Sequence, residues 1–315
     1  MFFQAPRICT GYRCWSHGTC LLLLLSLSLQ LRAPCPLLAD ESAKTSQAKA
    51  RATNFDRSRL VAWCIVPFDA AKRNPAQRAN MVTEMGIRRV AYDWRAEHVD
   101  SFEDEILQYK QHGIEYFAFW SWHPAMEPLI RKHNIHPQIW MMFGAPEQGT
   151  HEEKVRAAAQ SLLPHVEKCK ELNLSLGLYN HGGWSGEPEN MVAVCQYLKE
   201  HYDAEHVGIV YNLHHGHEHI EDFTSQLELM KPFLLCLNLN GMNEKANPKI
   251  LPIGDGRHET EMIRTIQLSG YLGPIGILDH RPEMDTREAL KLNLDGLKAT
   301  LETIGDKTAA ATYEE

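Results

Sequence analysis

The chain has 315 residues, of which 44% are hydrophobic, and its formal net charge at pH 7 is −8. A chain of this length can form one large domain or two smaller ones around a substantial core. The negative balance excludes a general nucleic-acid-binding surface, which requires a basic footprint. These properties favour a globular protein with a small-molecule site and no nucleic-acid partner.

The first 39 residues have the pattern of an export signal. Arg7 and Arg13 precede an apolar run at 20–31, and a polar stretch follows residue 39. Because the run is too short for an ordinary membrane span, we predict a signal peptide over 1–39, cleaved after Ala39, and a periplasmic or extracellular protein. The alternatives are an anchor that stays attached and a lipoprotein modified at Cys35.

Residues 40–58 are polar, have no apolar period and predict a flexible lead-in. From 59 to 305, short apolar runs alternate with amphipathic segments of helical period. The runs predict strands at 60–66, 87–92, 114–119, 138–143, 175–178, 207–211, 234–237 and 275–278. The amphipathic segments predict helices at 75–85, 102–112, 124–132, 152–172, 187–202, 220–230, 259–268 and 286–304. Residues 306–315 are small and polar, and predict a frayed tail.

This strict alternation of strands and helices predicts an α/β protein with a single-domain (β/α)8 TIM barrel fold over 59–305. A doubly wound open sheet is the alternative. Such sheets usually have fewer strands and often carry a glycine fingerprint after the first one. Here the first predicted strand is followed by Pro67, Phe68 and Asp69, without that fingerprint.

Polar and aromatic residues follow most of the predicted strands. In a TIM barrel the carboxyl ends of the strands meet at one face, where the active site lies. Amides and imidazoles hydrogen-bond hydroxyl groups, while indole rings cover the apolar side of a sugar ring. The sequence therefore predicts a small-molecule carbohydrate ligand, with candidate contacts Trp94, Trp120, Trp122, Tyr179, His181, Asn212, His214, His215, Asn238, Asn240 and Arg281.

Each candidate also has a purely structural interpretation. A tryptophan near a strand end is often a core or rim residue. Asn238 and Asn240 alternate along their strand, so at most one is expected to point inward, and either can anchor a loop. Asp93 and Arg95 follow the second predicted strand and are candidates for the same face, but they can also form a rim ion pair of little energetic value.

The segment Gly270-Tyr271-Leu272-Gly273-Pro274-Ile275 and the strand-end residues resemble the xylose isomerase-like TIM barrels, which include sugar isomerases, epimerases and endonuclease IV-type repair enzymes. The resemblance covers about residues 60–304. It implies a divalent metal bound by Glu, Asp, His and Glu at four late strand ends. Those positions are occupied here by Tyr179, Asn212, Asn238 and Leu278, whereas the family's histidine three residues beyond the Asp is kept as His215.

The motifs Tyr-Asn-Leu-His-His-Gly-His and Leu-Asn-Leu-Asn-Gly-Met further resemble a secreted bacterial subgroup of these barrels. We expect an exported sugar isomerase-, epimerase- or lyase-like enzyme that acts on a sugar or an oxidised sugar derivative. Histidine-mediated proton transfer would use His181, His215 and Tyr179. The alternative function is a non-catalytic carbohydrate-binding protein on a degenerate isomerase barrel.

The sequence does not identify a cofactor. Neutral amides and a phenol are poor ligands for a hard divalent cation, so the family's metal chemistry is in doubt. A softer site for a transition metal could instead use His181, His215, Asp279 and His280. Nucleic-acid repair is disfavoured by the predicted export and by the acidic charge balance.

Overall fold

A closed barrel of eight parallel strands forms the centre of the molecule. The computed structural model describes residues 53–278 and 280–314. Neighbouring strands pair in sequence order, and the first strand also pairs with the last. The predicted TIM barrel is therefore confirmed, with strands β1 Val61–Trp63, β2 Arg89–Asp93, β3 Glu115–Trp120, β4 Gln138–Met141, β5 Leu176–Tyr179, β6 Val207–Asn212, β7 Leu234–Leu239 and β8 Ile275–Leu278.

Helices follow the strands around the outside of the barrel. Within the described residues they are α1 Pro75–Glu84, α2 Phe102–His112, α3 Met126–His133, α4 His151–Leu172, α5 Pro188–Tyr202, α6 Phe223–Met230, α7 Glu259–Leu268, α8 Thr286–Ile304 and α9 Lys307–Ala311. None of these helices combines the length and apolar character that crossing a bilayer requires. Local sequence sets their ends: Asn74 and Gln77 form a capping box at α1, and Gly113 ends α2 at a φ of 65°.

The predicted strands and helices are all present, with shifted ends. The largest difference is β1, which was predicted over 60–66 and ends at Trp63. The next residue, Cys64, has a φ of 61°, so the chain leaves the extended conformation there. This early turn places Cys64 at the carboxyl-end face of the barrel.

Both surfaces of the sheet are buried, which explains why the strands are almost continuously apolar. Side chains on the outer surface pack against the helices, and those on the inner surface fill the barrel. Trp63, Trp140 and Tyr179 belong to the inner cluster, where the Trp63 and Trp140 ring centroids lie 4.9 Å apart. These large rings close the interior beneath the carboxyl-end face.

The two ends of the described chain differ from the prediction of flexible segments. Phe55 is buried, and the Asn54 side chain donates to the Tyr271 carbonyl at 3.0 Å. The expected frayed tail contains α9, and the Tyr313 hydroxyl donates to the Phe55 carbonyl at 2.8 Å. The apolar and aromatic side chains in both segments gain burial by packing together. The predicted signal at 1–39 lies outside the described residues.

Candidate active site

A cavity of about 120 Å³ opens at the carboxyl-end face of the barrel. It collects side chains that are far apart in sequence because parallel strands deliver their ends to the same face. Its lining residues are Trp63, Cys64, Phe68, Asp93, Arg95, Trp120, Tyr179, His181, Asn212, His214, His215, Leu278 and His280. The structure therefore brings together Trp120, Tyr179, His181, Asn212, His214 and His215 of the predicted carbohydrate contacts.

Aromatic rings form one wall of this cavity. The Trp120 ring centroid lies 4.5 Å from that of Tyr179 and 5.8 Å from that of Trp63. These rings hold each other in edge-on or tilted contacts, which fixes their orientation. The wall offers apolar faces against which the C–H groups of a sugar ring can pack.

A hydrogen-bonded chain positions the Tyr179 hydroxyl. The Asn180 side chain accepts from the Asn212 N–H at 2.7 Å and donates to the Asn212 carbonyl at 3.1 Å. The Asn212 amide in turn donates to the Tyr179 hydroxyl oxygen at 2.6 Å. Burial raises the pKa of Tyr179, so its hydroxyl stays neutral. Because that oxygen accepts from Asn212, its own hydrogen can be donated to a ligand.

A cluster of imidazoles forms the wall that follows β5, β6 and β8. The His215 ring centroid lies 4.5 Å from that of His181 and 4.6 Å from that of His214, which lies 5.2 Å from that of His280. Burial, reinforced by neighbouring histidines, lowers the pKa of His215 to about 3 and that of His214 to about 2. Both are neutral near pH 7, and each offers one N–H donor and one nitrogen acceptor.

Asp93 lies at the end of β2 and lines the same cavity, as expected of a strand-end residue, although the sequence also allowed a rim ion pair with Arg95. Its exposed fraction is 1%, and neither carboxyl oxygen forms a hydrogen bond of normal geometry, although the backbone N–H groups of Val66 and Asp93 lie close enough to favour its charged form. Arg95 donates instead to the Trp94 carbonyl at 2.7 Å and lies 5.5 Å from the Phe68 ring centroid. Burial raises the pKa of Asp93 to about 7, against the opposing charge of Arg95. Asp93 is therefore a buried, unpaired carboxyl facing the cavity, and no rim ion pair forms.

A second cavity of about 220 Å³ adjoins the first and shares His181, His214 and His215 with it. Gly182 and Gly183 form part of its wall at φ values of 86° and 63°, so the chain can turn away after β5. The remaining walls include His217, His219, Glu187, Glu218, Ala246 and Lys249. These three shared histidines form the boundary between the two cavities.

His217 and His219 differ in their surroundings within this second cavity. The His217 side chain contacts the His214 carbonyl through Nδ1 at 3.2 Å, and its buried Nε2 has no partner. His219 is bound by Glu187 at 3.0 Å and by Asp222 at 3.2 Å. His217 therefore offers its free nitrogen as an acceptor, while His219 belongs to a charged surface cluster.

The other predicted aromatic contacts and Arg281 lie outside the linings of these two cavities. Trp94 stacks on Phe119 at 6.2 Å and donates to the Ser121 carbonyl at 3.0 Å. Trp122 packs against the core between the sheet and the helices. These contacts match the structural interpretation of strand-end tryptophans.

Asn238 and Asn240 are both buried and also lie outside these cavity linings. Asn238 is packed inside the barrel, where a Cβ at position 276 would lie only 1.8 Å from its Oδ1, so glycine makes room for it. The Asn240 side chain donates to the carbonyls of Gly241 at 2.7 Å and Lys249 at 3.1 Å. Asn240 thus anchors the loop after β7, as its alternative interpretation predicts.

The sequence matches no protein-family model and no curated protein. Solved structures nevertheless share its architecture. One is 3-keto-D-glucoside 4-epimerase YcjR from E. coli in its apo form, at 13% identity and a TM-score of 0.58, covering 76% of this chain and 98% of that one. A second is a xylose isomerase domain protein from Alicyclobacillus acidocaldarius, at 16% identity and a TM-score of 0.52, with coverages of 77% and 99%.

A third is an IOLI protein with a bound zinc atom, at 11% identity and a TM-score of 0.60, covering 78% of this chain and 98% of that one. The chain has the fold of the xylose isomerase-like barrels. The resemblance stated from the sequence is confirmed at the level of the fold. At these identities the likeness does not carry over an activity.

The residues present do not fit the metal site that the xylose isomerase-like resemblance implies. Its four positions hold Tyr179, Asn212, Asn238 and Leu278, and the Asn212 amide is already bonded to the Tyr179 hydroxyl. Hard divalent cations require carboxylate or other strongly donating oxygen ligands. These four side chains are therefore not a site for a hard divalent cation.

The softer site predicted from His181, His215, His280 and Asp279 has no complete ligand set among the described residues. Over 53–278 and 280–314, no three histidine, cysteine, aspartate or glutamate side chains are arranged to hold a metal ion. Asp279 itself lies outside that part of the chain. Within the histidine cluster, His214 and His215 offer neutral hydrogen-bonding groups.

Proposed function

We propose that the chain is an exported sugar isomerase-, epimerase- or lyase-like enzyme that binds a sugar or an oxidised sugar derivative in the cavity at the carboxyl-end face. The observation that carries this proposal is the composition of the cavity wall, which joins aromatic faces to imidazole, amide, carboxyl and guanidinium groups. Sugars expose both C–H faces and hydroxyl edges, and this wall complements both. 3-Keto-D-glucoside 4-epimerase has the same fold, so a barrel of this kind can carry this class of reaction.

The polar groups have distinct roles in this proposal. The Tyr179 hydroxyl, held by Asn212 at 2.6 Å, donates to a ligand oxygen on which negative charge develops. His181 and His215 lie with ring centroids 4.5 Å apart and transfer protons at the ligand hydroxyl groups. Arg95 reaches the rim near Phe68 and contacts the outer end of the ligand.

The adjoining second cavity indicates a ligand larger than one sugar ring. Neither cavity alone reaches the roughly 300 Å³ at which small-molecule sites begin, but the two together do. His217 and Lys249 offer an acceptor and a donor in the second cavity. A glycoside or disaccharide would place one ring against the aromatic wall and its second group beside these residues.

Binding and turnover are tested separately. Calorimetric titration with D-fructose, D-xylose, D-galacturonate and a disaccharide measures affinity, while chromatography of the incubated sugars measures conversion. We expect the wild type to bind and convert at least one of them, and His215→Ala to lose conversion by about 100-fold or more. Analysis of bound metal in the purified protein accompanies both assays.

The alternative, a carbohydrate-binding protein on a retired enzyme scaffold, is favoured by the missing metal carboxylates. Wild-type binding without conversion of any sugar, with no bound metal, would replace the enzyme proposal by this one. Export is tested by expression of the full chain in a bacterial host. The secreted protein should begin at Asp40, whereas a product retaining residues 1–39 would contradict the signal assignment.

A further inference from the structure

A buried carboxyl and a neutral imidazole face each other across the candidate active site. Asp93 ends β2, and His215 follows β6. In a closed barrel of eight strands in sequence order, β2 and β6 are four strands apart and stand on opposite walls. Both residues line a cavity of about 120 Å³, and the Asp93 carboxyl oxygens are buried in its wall, so a ligand that fills the cavity packs beside both residues.

We propose that Asp93 is the catalytic base of this cavity and that His215 is its opposing proton donor. Together they move a proton between adjacent carbons of an α-hydroxy ketone or α-hydroxy aldehyde, the open-chain form of a sugar. This inference rests on the proposed sugar-binding function and names the substrate class and the reacting groups. The proton transfer it describes does not require the metal-binding carboxylates that are missing from this barrel.

The surroundings of Asp93 are those of a reactive group. A buried polar atom without a partner is costly in a folded protein, and such an atom in a cavity is commonly completed by a ligand. Asp93 has two such oxygens. Two cations act on the charge of Asp93 from neighbouring elements: Arg95 after β2 and Arg78 of α1. Arg78 is itself paired with Glu105 of α2 at 2.6 Å. Three tyrosines also interact electrostatically with Asp93, namely Tyr92 of β2, Tyr116 of β3 and Tyr179 of β5.

The division of roles follows from the two environments. A base works best when its pKa is near the working pH, and burial brings the pKa of Asp93 to about 7. Burial has the opposite effect on His215, whose pKa is lowered to about 3, so its neutral ring takes a carbon-bound proton poorly. A neutral imidazole N–H is a good donor to a carbonyl oxygen, and a carboxylate base opposite such a donor is an established arrangement for sugar isomerisation.

The proton movements balance without a further reactant. The Asp93 carboxylate takes the proton from the carbon beside the ligand carbonyl, and the C–H electron pair becomes a carbon–carbon double bond. The carbonyl oxygen receives the displaced pair and takes the imidazole proton of His215. The imidazole recovers a proton from the neighbouring hydroxyl as that oxygen forms the new carbonyl. Asp93 then returns its proton to the original carbonyl carbon, and both side chains regain their starting states.

Deuterium exchange tests this assignment on the full-length protein. D-fructose and D-xylose are incubated with the protein in heavy water, and deuterium at the carbon beside the carbonyl is measured by NMR. We expect Asp93→Asn to bind these sugars within about twofold of the wild type but to exchange at least about 100-fold more slowly. Asp93→Glu, which keeps a carboxyl, should exchange faster than Asp93→Asn. Glu115→Gln, an exposed site at the amino end of β3, is the unchanged control.

The pH profile separates the two facing residues. His215→Gln retains an N–H donor and should keep the exchange midpoint near pH 7, because that midpoint belongs to Asp93. Loss of the midpoint in His215→Gln, or wild-type exchange in Asp93→Asn, would overturn the assignment while leaving sugar binding intact. Failure of the wild type to bind any sugar would instead refute the proposed function.

An infrared measurement keeps the inference testable if a variant folds poorly. The wild type should show the carbonyl stretching band of a protonated carboxyl, and this band should disappear as the pH rises through about 7. Asp93→Glu should shift the frequency of the band. A spectrum without a carboxyl titrating near neutral pH would contradict the role of Asp93 without any use of sugar.

Discussion

Replacing Asp93 by asparagine should change how the stability of the protein depends on pH. Burial raises the pKa of this carboxyl from 3.8 to about 7 in the folded state. Between these values the folded protein holds a proton that the unfolded chain has released. The free energy of unfolding therefore falls as the pH rises through this window. Asparagine has the same shape and does not ionise, so the free energy of unfolding of the variant does not fall for this reason.

The size of the effect follows from the pKa difference. A tenfold change in an acid dissociation constant corresponds to about 1.4 kcal/mol, so ionising Asp93 in the folded state costs roughly 4 kcal/mol by pH 8. The wild type should lose stability relative to Asp93→Asn by up to about 1.4 kcal/mol per pH unit between roughly pH 4.5 and 6.5. Other groups titrate in both proteins and cancel in the difference.

Urea unfolding followed by circular dichroism at several pH values measures this difference. Asp69→Asn is a matched control, because Asp69 is also buried but hydrogen bonds from Arg73 and Thr286 outweigh its burial and lower its pKa. The wild type should therefore gain stability relative to Asp69→Asn as the pH rises from below the lowered pKa of Asp69 to above its ordinary value of 3.8. Parallel stability curves for the wild type and Asp93→Asn would refute the account of Asp93 as a buried, unpaired acid.

Three further results are expected. Tyr179→Phe should lower the free energy of unfolding by about 1–3 kcal/mol in urea titrations, because it leaves the buried Asn212 amide without its acceptor; unchanged stability would contradict this hydrogen bond. Trp120→Ala should weaken sugar binding in calorimetry by about 0.5–1.5 kcal/mol, whereas Trp122→Ala, outside the cavity lining, should not. Lys249→Ala should weaken the binding of a disaccharide but not of a monosaccharide, and equal losses for both would disprove the second compartment.

The fold could be predicted because each of its elements has a local signature. Alternation of buried strands and amphipathic helices identifies a barrel, and Pro75 and Gly113 mark where helices begin and end. The ends of the domain could not be predicted in this way. Phe55 and Tyr313 are isolated aromatic residues in polar segments, and only the closed barrel brings them into contact.

The site was predicted in outline for the same reason. Strand-end residues such as Tyr179, Asn212 and His215 do line one cavity. For Asp93 the sequence left two interpretations open, a residue facing the cavity and a rim ion pair, because it shows that Arg95 is near in the chain but not where either side chain points. Its burial depends on the pairing of β2 with β3, which sets Asp93 opposite Trp120. Long-range register of this kind has no local signal.

A crystal structure of the Asp93→Asn variant with bound D-fructose tests the central claim most directly, since slow exchange should preserve the sugar. The account predicts the sugar in the cavity at the carboxyl-end face, packed on Trp120 and Tyr179. The carbon beside its carbonyl should lie within about 3.2 Å of the side chain at position 93, and its carbonyl oxygen should accept from His215. A sugar bound at another surface, or one in this cavity that places its carbonyl away from both residues, would contradict the account.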